Sequence, residues 1–369
     1  MLRIGIDGRA FASPAAGVRR YIKGLTCALL ALGEPLELVA LGGRDTSLLP
    51  AGIGHVAEPP HPPTNLGWTL VGLPRAARRA GVDVVHAPAY TAPFWSPAPV
   101  VLTIHDVSYE RHPQWYPYRR DWARRAFYRR SAHVASQILT VSRFSAAEIT
   151  AAYGIPAGRM TVTPLGVDGA FVAKDPRSLG QLPPGVTSPY LLHVGDLHER
   201  RNLTMLVGAV LSARRQSQAA RALSLVLVGT DLGVGDAVSA IAVEAGASDA
   251  VVRLGSVNER RLRALYQGSV ALVYPSFYEG FGLPLVEAMA CGTPVIASNV
   301  ASMPEVLGDA GILIDPSDEG AWTRAIIDLM SDDEKRGRLR EAGLRRAGEF
   351  TWERTARLTL DVYRRTVAR

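Results

Sequence analysis

Residues 274–298, YPSFYEGFGLPLVEAMACGTPVIAS, read as a strand that runs into a glycine-containing turn and then into a helix whose first turn holds Pro284, a good N1 residue. Gly280 and Gly282 permit positive φ and close backbone approach. The helix start therefore presents free N–H groups and a positive dipole end above the turn, the usual means of holding phosphate. Two carboxylates frame this turn, Glu279 in the loop and Glu287 about a turn into the helix, eight positions apart. Carboxylates accept hydrogen bonds and donate none, so the pair predicts a ligand rich in hydroxyl groups, faced by both.

Working outward, short β-branched runs alternate with helical segments along almost the whole chain. LRIGID (2–7), a helix from Gly17, LELVAL (36–41), VDVVHA (82–87), VVLTIHD (100–106), a long helix and QILTVS (137–142) form one series. KDPRSLGQLPPGVTSP (174–189), rich in Pro, Gly and Ser, reads as the linker. The alternation restarts with YLLHVGD (190–196), a helix from Asn202, LSLVLVGT (223–230), a helix near 237–246, VVRLGS (251–256), a helix from Glu259 and VALVYPS (270–276). Strand and helix in turn predict parallel sheets, hence an α/β fold of two doubly wound domains, 1–176 and 189–350, joined by 177–188. The last segment, 351–369, has no following strand and must dock on existing structure through Trp352, Leu358, Leu360, Val362 and Tyr363.

The bulk properties agree with two domains. The chain has 369 residues, 47% apolar and 20% charged, with a mean hydropathy of +0.08. That length is too great for one core. No apolar run is long enough for a membrane-spanning helix and none near the start resembles a signal peptide, so the cytosol is the expected compartment. Cys27 and Cys291 lack metal-site spacing and read as buried thiols. The net charge of +7 predicts an anionic partner. Its densest basic stretch, YPYRRDWARRAFYRRS, carries arginine pairs at 119/120, 124/125 and 129/130. A five-residue spacing turns each pair about 140° around a helix, so the charges spiral, which argues against a DNA-reading helix and against nucleic acid as partner. A solvated helix with some aromatic residues turned inward and a face near anionic lipid headgroups both accommodate it.

Other segments place polar side chains at strand ends, where open α/β sheets bind ligands. HVGDLHERRNL (193–203) ends a strand at Gly195 and sets the pair Arg200 and Arg201 before Asn202, a potential helix cap. Guanidinium groups there suit phosphate oxygens. DGRAFASPAAGVRRYIKGL, from Asp7, is a loop of small residues closing at Gly17, and it lacks the GxGxxG pattern of a dinucleotide site. His105 and Asp106 end the strand VLTIHD, and Ser145 with Glu148 suggests a capping box. GxSxG is absent, which disfavours a serine hydrolase.

The EGFGLP context with Glu279 and Glu287 resembles the family 4 glycosyltransferases of GT-B fold, whose hallmark is an E-x7-E motif. The resemblance implies two Rossmann-like domains facing a central cleft, the first binding acceptor, the second binding a nucleotide-sugar donor, and a C-terminal helix (351–369) that returns to the first. It implies a catalytic set of His105, Glu279, Arg200 and Arg201. It implies a donor set of Gly17, Asp106, Gly195, Arg200, Arg201, Asn202, Glu279, Gly280, Phe281, Gly282, Leu283 and Glu287. Glu279 would contact the transferred sugar, Glu287 the ribose, the loop amides of 280–283 sugar and phosphate, and Arg200, Arg201 or both the diphosphate. Arg201 stands where the family usually has lysine, and Asp196 where many members have arginine. The absence of a DxD motif predicts reaction without a metal, and no other cofactor is implied. The expected donor is a GDP- or UDP-sugar, GDP-mannose first. The expected acceptor is a saccharide or a lipid-linked molecule, with peripheral contact to anionic membrane at its inner face. A nucleotide-sugar epimerase or hydrolase, or a binding scaffold without turnover, is the rival reading.

Overall fold

The computed structural model describes residues 1–43, 45–59, 64–116, 120–171 and 181–368. The chain divides into two compact units: Met1–Gly166 with the segment beginning at Thr351, and Val167–Phe350. Of the linker, 177–180 lies outside the described residues, as does Arg119 of the first arginine pair.

In the first unit, seven strands among the described residues form a parallel sheet: β1 (Leu2–Asp7), β2 (Leu36–Leu41), β3 (Gly54–Val56), β4 (Val84–Ala87), β5 (Val100–Thr103), β6 (Gln137–Thr140) and β7 (Met160–Val162). Their order is 3-2-1-4-5-6-7. All residues of β4, β5 and β6 are buried, as strands covered on both faces require. The order reverses between β1 and β4, so the loops following these strands diverge there and leave a crevice. Helix α1 (Ala16–Ala31) follows β1, and α2 (Leu73–Ala80), α3 (Trp122–Val134) and α4 (Arg143–Tyr153) come later. The N-cap of α4 is Ser142, whose hydroxyl accepts from the Ser145 amide at 2.9 Å. Ser145 thus lies inside the helix and Glu148 pairs with Arg111, which corrects the capping box expected at Ser145.

The second unit carries β8 (Tyr190–Val194), β9 (Ser224–Val228), β10 (Val251–Gly255), β11 (Ala271–Tyr274), β12 (Val295–Ser298) and β13 (Ile312–Ile314), all parallel, in the order 10-9-8-11-12-13. Here the reversal falls between β8 and β11, which pair through Leu191 and Leu192 against Ala271 and Leu272. Its helices include α5 (Leu203–Gln216), α6 (Gly235–Glu244), α7 (Glu259–Gly268), α8 (Leu283–Ala290), α9 (Glu319–Ser331) and α10 (Asp333–Ala347). Cys291 is buried and donates to the Phe171 carbonyl at 3.2 Å, with its thiol pushed up to about 12 by burial. Cys27, expected to be buried, is exposed on α1.

The final helix, α11 (Trp352–Val367), belongs to the first unit and packs along α1. Its inward face combines the expected Leu360, Val362 and Tyr363 with Thr355, Ala356, Thr359 and Thr366, whose hydroxyl groups were invisible to a reading by apolar pattern. Thr355 donates to the Pro164 carbonyl at 2.6 Å. The two helices approach closely because Gly24 has no side chain: a Cβ there would lie 2.2 Å from the Trp352 ring. Gly24→Ala therefore costs about 1–3 kcal/mol in urea unfolding by overpacking, whereas Gly17→Ala, with open space around its Cβ, leaves stability unchanged or slightly raised.

Candidate functional site

The second unit concentrates its buried charge at the reversal between β8 and β11. A turn of 3-10 helix, Glu199–Arg201, follows β8, and the loop with Glu279 follows β11. The Phe277 amide donates to the Arg200 carbonyl at 2.9 Å and ties the two loops together. Arg201 is only 7% exposed and makes an ion pair with Glu279, itself 7% exposed. The Arg201 guanidinium also donates to the Tyr274 hydroxyl and, at 3.3 Å, to Ser276, and lies over the Tyr274 ring at 5.0 Å. Gly195, at φ +143°, makes room for it: a Cβ at that position would sit 3.0 Å from the guanidinium carbon. Arg200 is the more accessible of the two, 3.8 Å from Glu279.

Two buried nitrogen atoms here have no hydrogen-bond partner among the described residues, Nε of Arg201 and Nε2 of His193. The first is a donor and the second, on a neutral ring whose Nδ1 donates, an acceptor; unpaired buried polar atoms are rare in folded proteins and each needs a reason. His193, the fourth residue of β8, donates from Nδ1 to the Val273 carbonyl at 3.0 Å and stacks on Tyr274. Burial, reinforced by the Arg201 charge, lowers its pKa to about 3, so the ring is neutral.

The loop between the two glutamates is held from outside. Ser302 donates to the carbonyls of Glu279, at 2.9 Å, and Phe281, at 3.0 Å. Gly282 adopts φ +94° and caps α8 without a side-chain hydrogen bond, so the helix start presents backbone N–H groups. Phe281 turns its ring inward against Phe350, and Leu283 is half-buried, so Gly280, Phe281, Gly282 and Leu283 offer a ligand chiefly backbone. Glu287 is 2% exposed and accepts from the Tyr266 hydroxyl at 2.9 Å. Asn202 sits at the start of α5 with φ +54°, but its amide donates to the Pro316 carbonyl at 2.6 Å and not to its own helix, which corrects the expected cap. Beside Gly195, an open pocket of about 580 Å³ is lined by Leu197, Gly229, Thr230, Asp231, Arg253, Gly255 and Ser256, at the ends of β8, β9 and β10. Backbone packing is tightest at Gly229, where a Cβ would meet the Gly195 carbonyl at 2.1 Å.

In the first unit, His105 follows β5. Its Nε2 donates to the Pro88 carbonyl at 3.1 Å, which leaves Nδ1 as an acceptor. Burial lowers its pKa, opposed by the Pro88 bond and by Asp106. The Tyr21 ring of α1 stands edge-on to it at 4.9 Å, and Ser145 donates to its carbonyl. Behind it, His86 is fully buried with both ring nitrogens engaged, Nδ1 by Tyr363 at 2.6 Å and Nε2 by Thr103 at 2.8 Å. Burial and the neighbouring His105 bring its pKa to about 3. Asp106 turns back on its own chain, accepting from the Ser108 amide and hydroxyl. Gly17 is exposed in the first turn of α1.

Sequence reasoning missed Tyr274, Ser276, Tyr266 and Ser302. Tyr274 and Ser276 sit in the stretch that decides the fold, yet a buried hydroxyl at a strand end leaves no spacing signature. Ser302 lies on a later turn and carries none.

These arrangements have energetic consequences. Removing one partner of a buried ion pair strands the other, so Arg201→Gln costs about 3 kcal/mol in urea unfolding and Glu279→Gln in the same chain recovers part of that loss, a coupling read from the double-mutant cycle. His86 and His193 have folded pKa values below their unfolded value of about 6.5, so the unfolded chain binds more protons below that pH. The contribution of these histidines is constant above pH 6.5 and falls as pH drops towards 3, by about 2 kcal/mol for each at pH 5. His193→Asn removes its share of this acid sensitivity in unfolding titrations at pH 7.5 and 5.

Comparison with known proteins gives the arrangement a family. Residues 176–346 match the profile of glycosyl transferases group 1, and residues 15–171 that of glycosyltransferase family 4. The chain is 36% identical over 271 residues to O-antigen chain mannosyltransferase B of Escherichia coli, covering 72% of this chain and 70% of that protein. It is 32% identical over 287 residues to the MMP alpha-(1->4)-mannosyltransferase of Mycolicibacterium hassiacum, covering 73% and 66%. Sucrose-phosphate synthase from Thermosynechococcus elongatus shares the fold with a TM-score of 0.79 at 22% identity, over 100% of both chains. Two parallel-sheet units, the intact E-x7-E motif and these matches lead to one conclusion: the chain belongs to the family 4, group 1 glycosyltransferases of GT-B fold.

Proposed function

We propose that this glycosyltransferase is a retaining hexosyltransferase that moves mannose from GDP-mannose to a hydroxyl of a saccharide or lipid-linked acceptor, without a metal. The observation that carries the reading is the buried Arg201–Glu279 pair at the β8/β11 reversal, with an unpartnered guanidinium N–H. In this reading the diphosphate lies against Arg200, Arg201 and the N–H groups of 280–283, which replace a divalent cation in balancing charge on the leaving group. Among the described residues, no three His, Cys, Asp or Glu side chains gather at metal-holding geometry. Glu279 accepts from hydroxyls of the transferred sugar, and Glu287, fixed by Tyr266, from the ribose. The open pocket beside Gly195 takes the nucleoside; its volume lies in the range of small-molecule sites. The mannosyltransferase names of the two curated relatives support mannose as the transferred sugar.

The reaction breaks the bond between the anomeric carbon and the diphosphate oxygen and forms a bond from the acceptor oxygen to the same face of that carbon. The departing phosphate oxygen takes the acceptor's proton. Glu279 is held by Arg201 in this reading, so it serves as a hydrogen-bond acceptor and not as a nucleophile. His105 is neutral and offers Nδ1 to a sugar hydroxyl, which Asp106 supports by shaping the following turn. Gly17 keeps the start of α1 bare, so that a ligand reaches its backbone.

Thermal unfolding with a panel of nucleoside diphosphates and nucleotide sugars tests the donor, because a ligand of the folded state raises the melting temperature. GDP species raise it and Glu287→Ala weakens the shift; a shift confined to UDP species reassigns the base, and no shift removes the donor site. Product analysis adds the chemistry: GDP release requires acceptor, and the α-configured donor gives an α-linked product. Release of free mannose without acceptor would make the enzyme a hydrolase. Since the His105 pKa is already lowered, activity stays level as pH rises through 7 and falls only on the acid side, and His105→Ala lowers kcat by about a hundredfold.

A further inference from the structure

The Arg201 guanidinium is held at one corner. Its hydrogen bonds to Tyr274, Ser276 and Glu279 all leave from Nη1. A planar group fixed at a single nitrogen still pivots about it, so the direction of Nη2, the corner left for a ligand, stays unset. A second fixed point is needed at Nε, which is buried and has no partner among the described residues. His193 presents the complement. Its ring is fully buried and stacks on Tyr274 with centroids 5.5 Å apart, and the guanidinium lies over that same Tyr274 ring at 5.0 Å. Gly195, whose missing side chain admits the guanidinium, comes two residues after His193 at the end of β8. A carbonyl only accepts, so the bond to Val273 puts the imidazole proton on Nδ1 and leaves Nε2 as a bare acceptor. That acceptor is likewise buried with no partner among the described residues.

We infer that His193 positions Arg201: one buried water accepts from the Arg201 Nε–H, donates to His193 Nε2 and so fixes the plane of the guanidinium. A bare donor and a bare acceptor on two groups packed against one ring are the pair that a single water satisfies, with the protein atoms too far apart to bond directly. A bound diphosphate does not account for both atoms. Its oxygens take an N–H but repel a second acceptor, so Nε2 gains nothing from them. Protonation does not account for them either, because burial and the Arg201 charge keep the ring neutral. With its plane fixed, the guanidinium has less freedom to lose when an anion arrives. This consequence rests on Arg201 as a diphosphate ligand; the hydrogen bonds to the water do not.

The experiment compares His193→Phe with His193→Gln in the full chain, below the melting temperature of both. Each variant loses the imidazole N–H that serves Val273, and only glutamine keeps an acceptor at the far end of its side chain. Hydrogen exchange of the Arg201 Nε–H, followed by NMR and assigned by its absence in Arg201→Lys, is slow in the wild type and in His193→Gln. It is at least about tenfold faster in His193→Phe. GDP affinity, read by calorimetry, stays within about threefold of wild type in His193→Gln and falls about tenfold in His193→Phe, the loss of one hydrogen bond to a charged group. Equal exchange in the two variants would overturn the inference, and so would equal GDP affinity. A wild type that binds no nucleoside diphosphate removes the donor reading instead, and the exchange rates then decide the hydrogen bond alone. A crystal structure of the wild type tests the same point without a variant: one ordered water lies about 3 Å from both nitrogen atoms, and density without it contradicts the assignment.

Discussion

A guanidinium and a carboxylate taken out of water together constrain the second unit more than any other contact. Neither Arg201 nor Glu279 has appreciable exposure, and burying either alone would cost several kcal/mol. Their neighbours follow from this. Gly195 is bare because the guanidinium occupies the space of its Cβ; Tyr274 supplies a ring beneath and a hydroxyl beside it; Ser276 takes another N–H; Ser302 holds the Glu279 backbone so that the carboxylate stays in reach. The reversal of strand order between β8 and β11 sets where this happens, since the loops after those two strands are the ones that part.

The first unit meets the same problem without charge. His86 and Thr103 lie inside the sheet, Tyr21 comes from α1 and Tyr363 from α11, and every hydrogen bond among them joins neutral groups. Burial keeps His86 uncharged and holds His105 below its ordinary pKa. One consequence reaches beyond packing. The C-terminal helix touches His86, His86 shares Thr103 with Tyr21, and the Tyr21 ring abuts His105, so α11 contributes to the position of a proposed reacting group although its own residues lie far along the chain.

Much of this was legible in the sequence because parallel strands write themselves as apolar runs. YLLHV and SLVLV could hardly be anything else, and the glycine pair in EGFGLP marks a strand-to-helix turn whatever the family. Side-chain partnerships were less legible. Nothing in the spacing of Asn202 tells that its amide would serve Pro316, nor that Ser142 and not Ser145 would cap α4, because two hydroxyls three residues apart compete and only the local backbone decides. On α3 the spacing left two readings open, and the structure exposes Trp122 while leaving Phe127 and Tyr128 half-buried.

Calorimetric titration of GDP into the folded wild type and into Arg201→Gln, at a temperature well below the variant's melting point, tests the central claim that the buried pair builds a nucleoside-diphosphate site. The account predicts saturable binding to the wild type and an affinity at least about tenfold weaker in the variant, the loss expected when a charge-assisted hydrogen bond is removed. Equal affinity in both proteins would contradict it and reduce the Arg201–Glu279 pair to scaffolding.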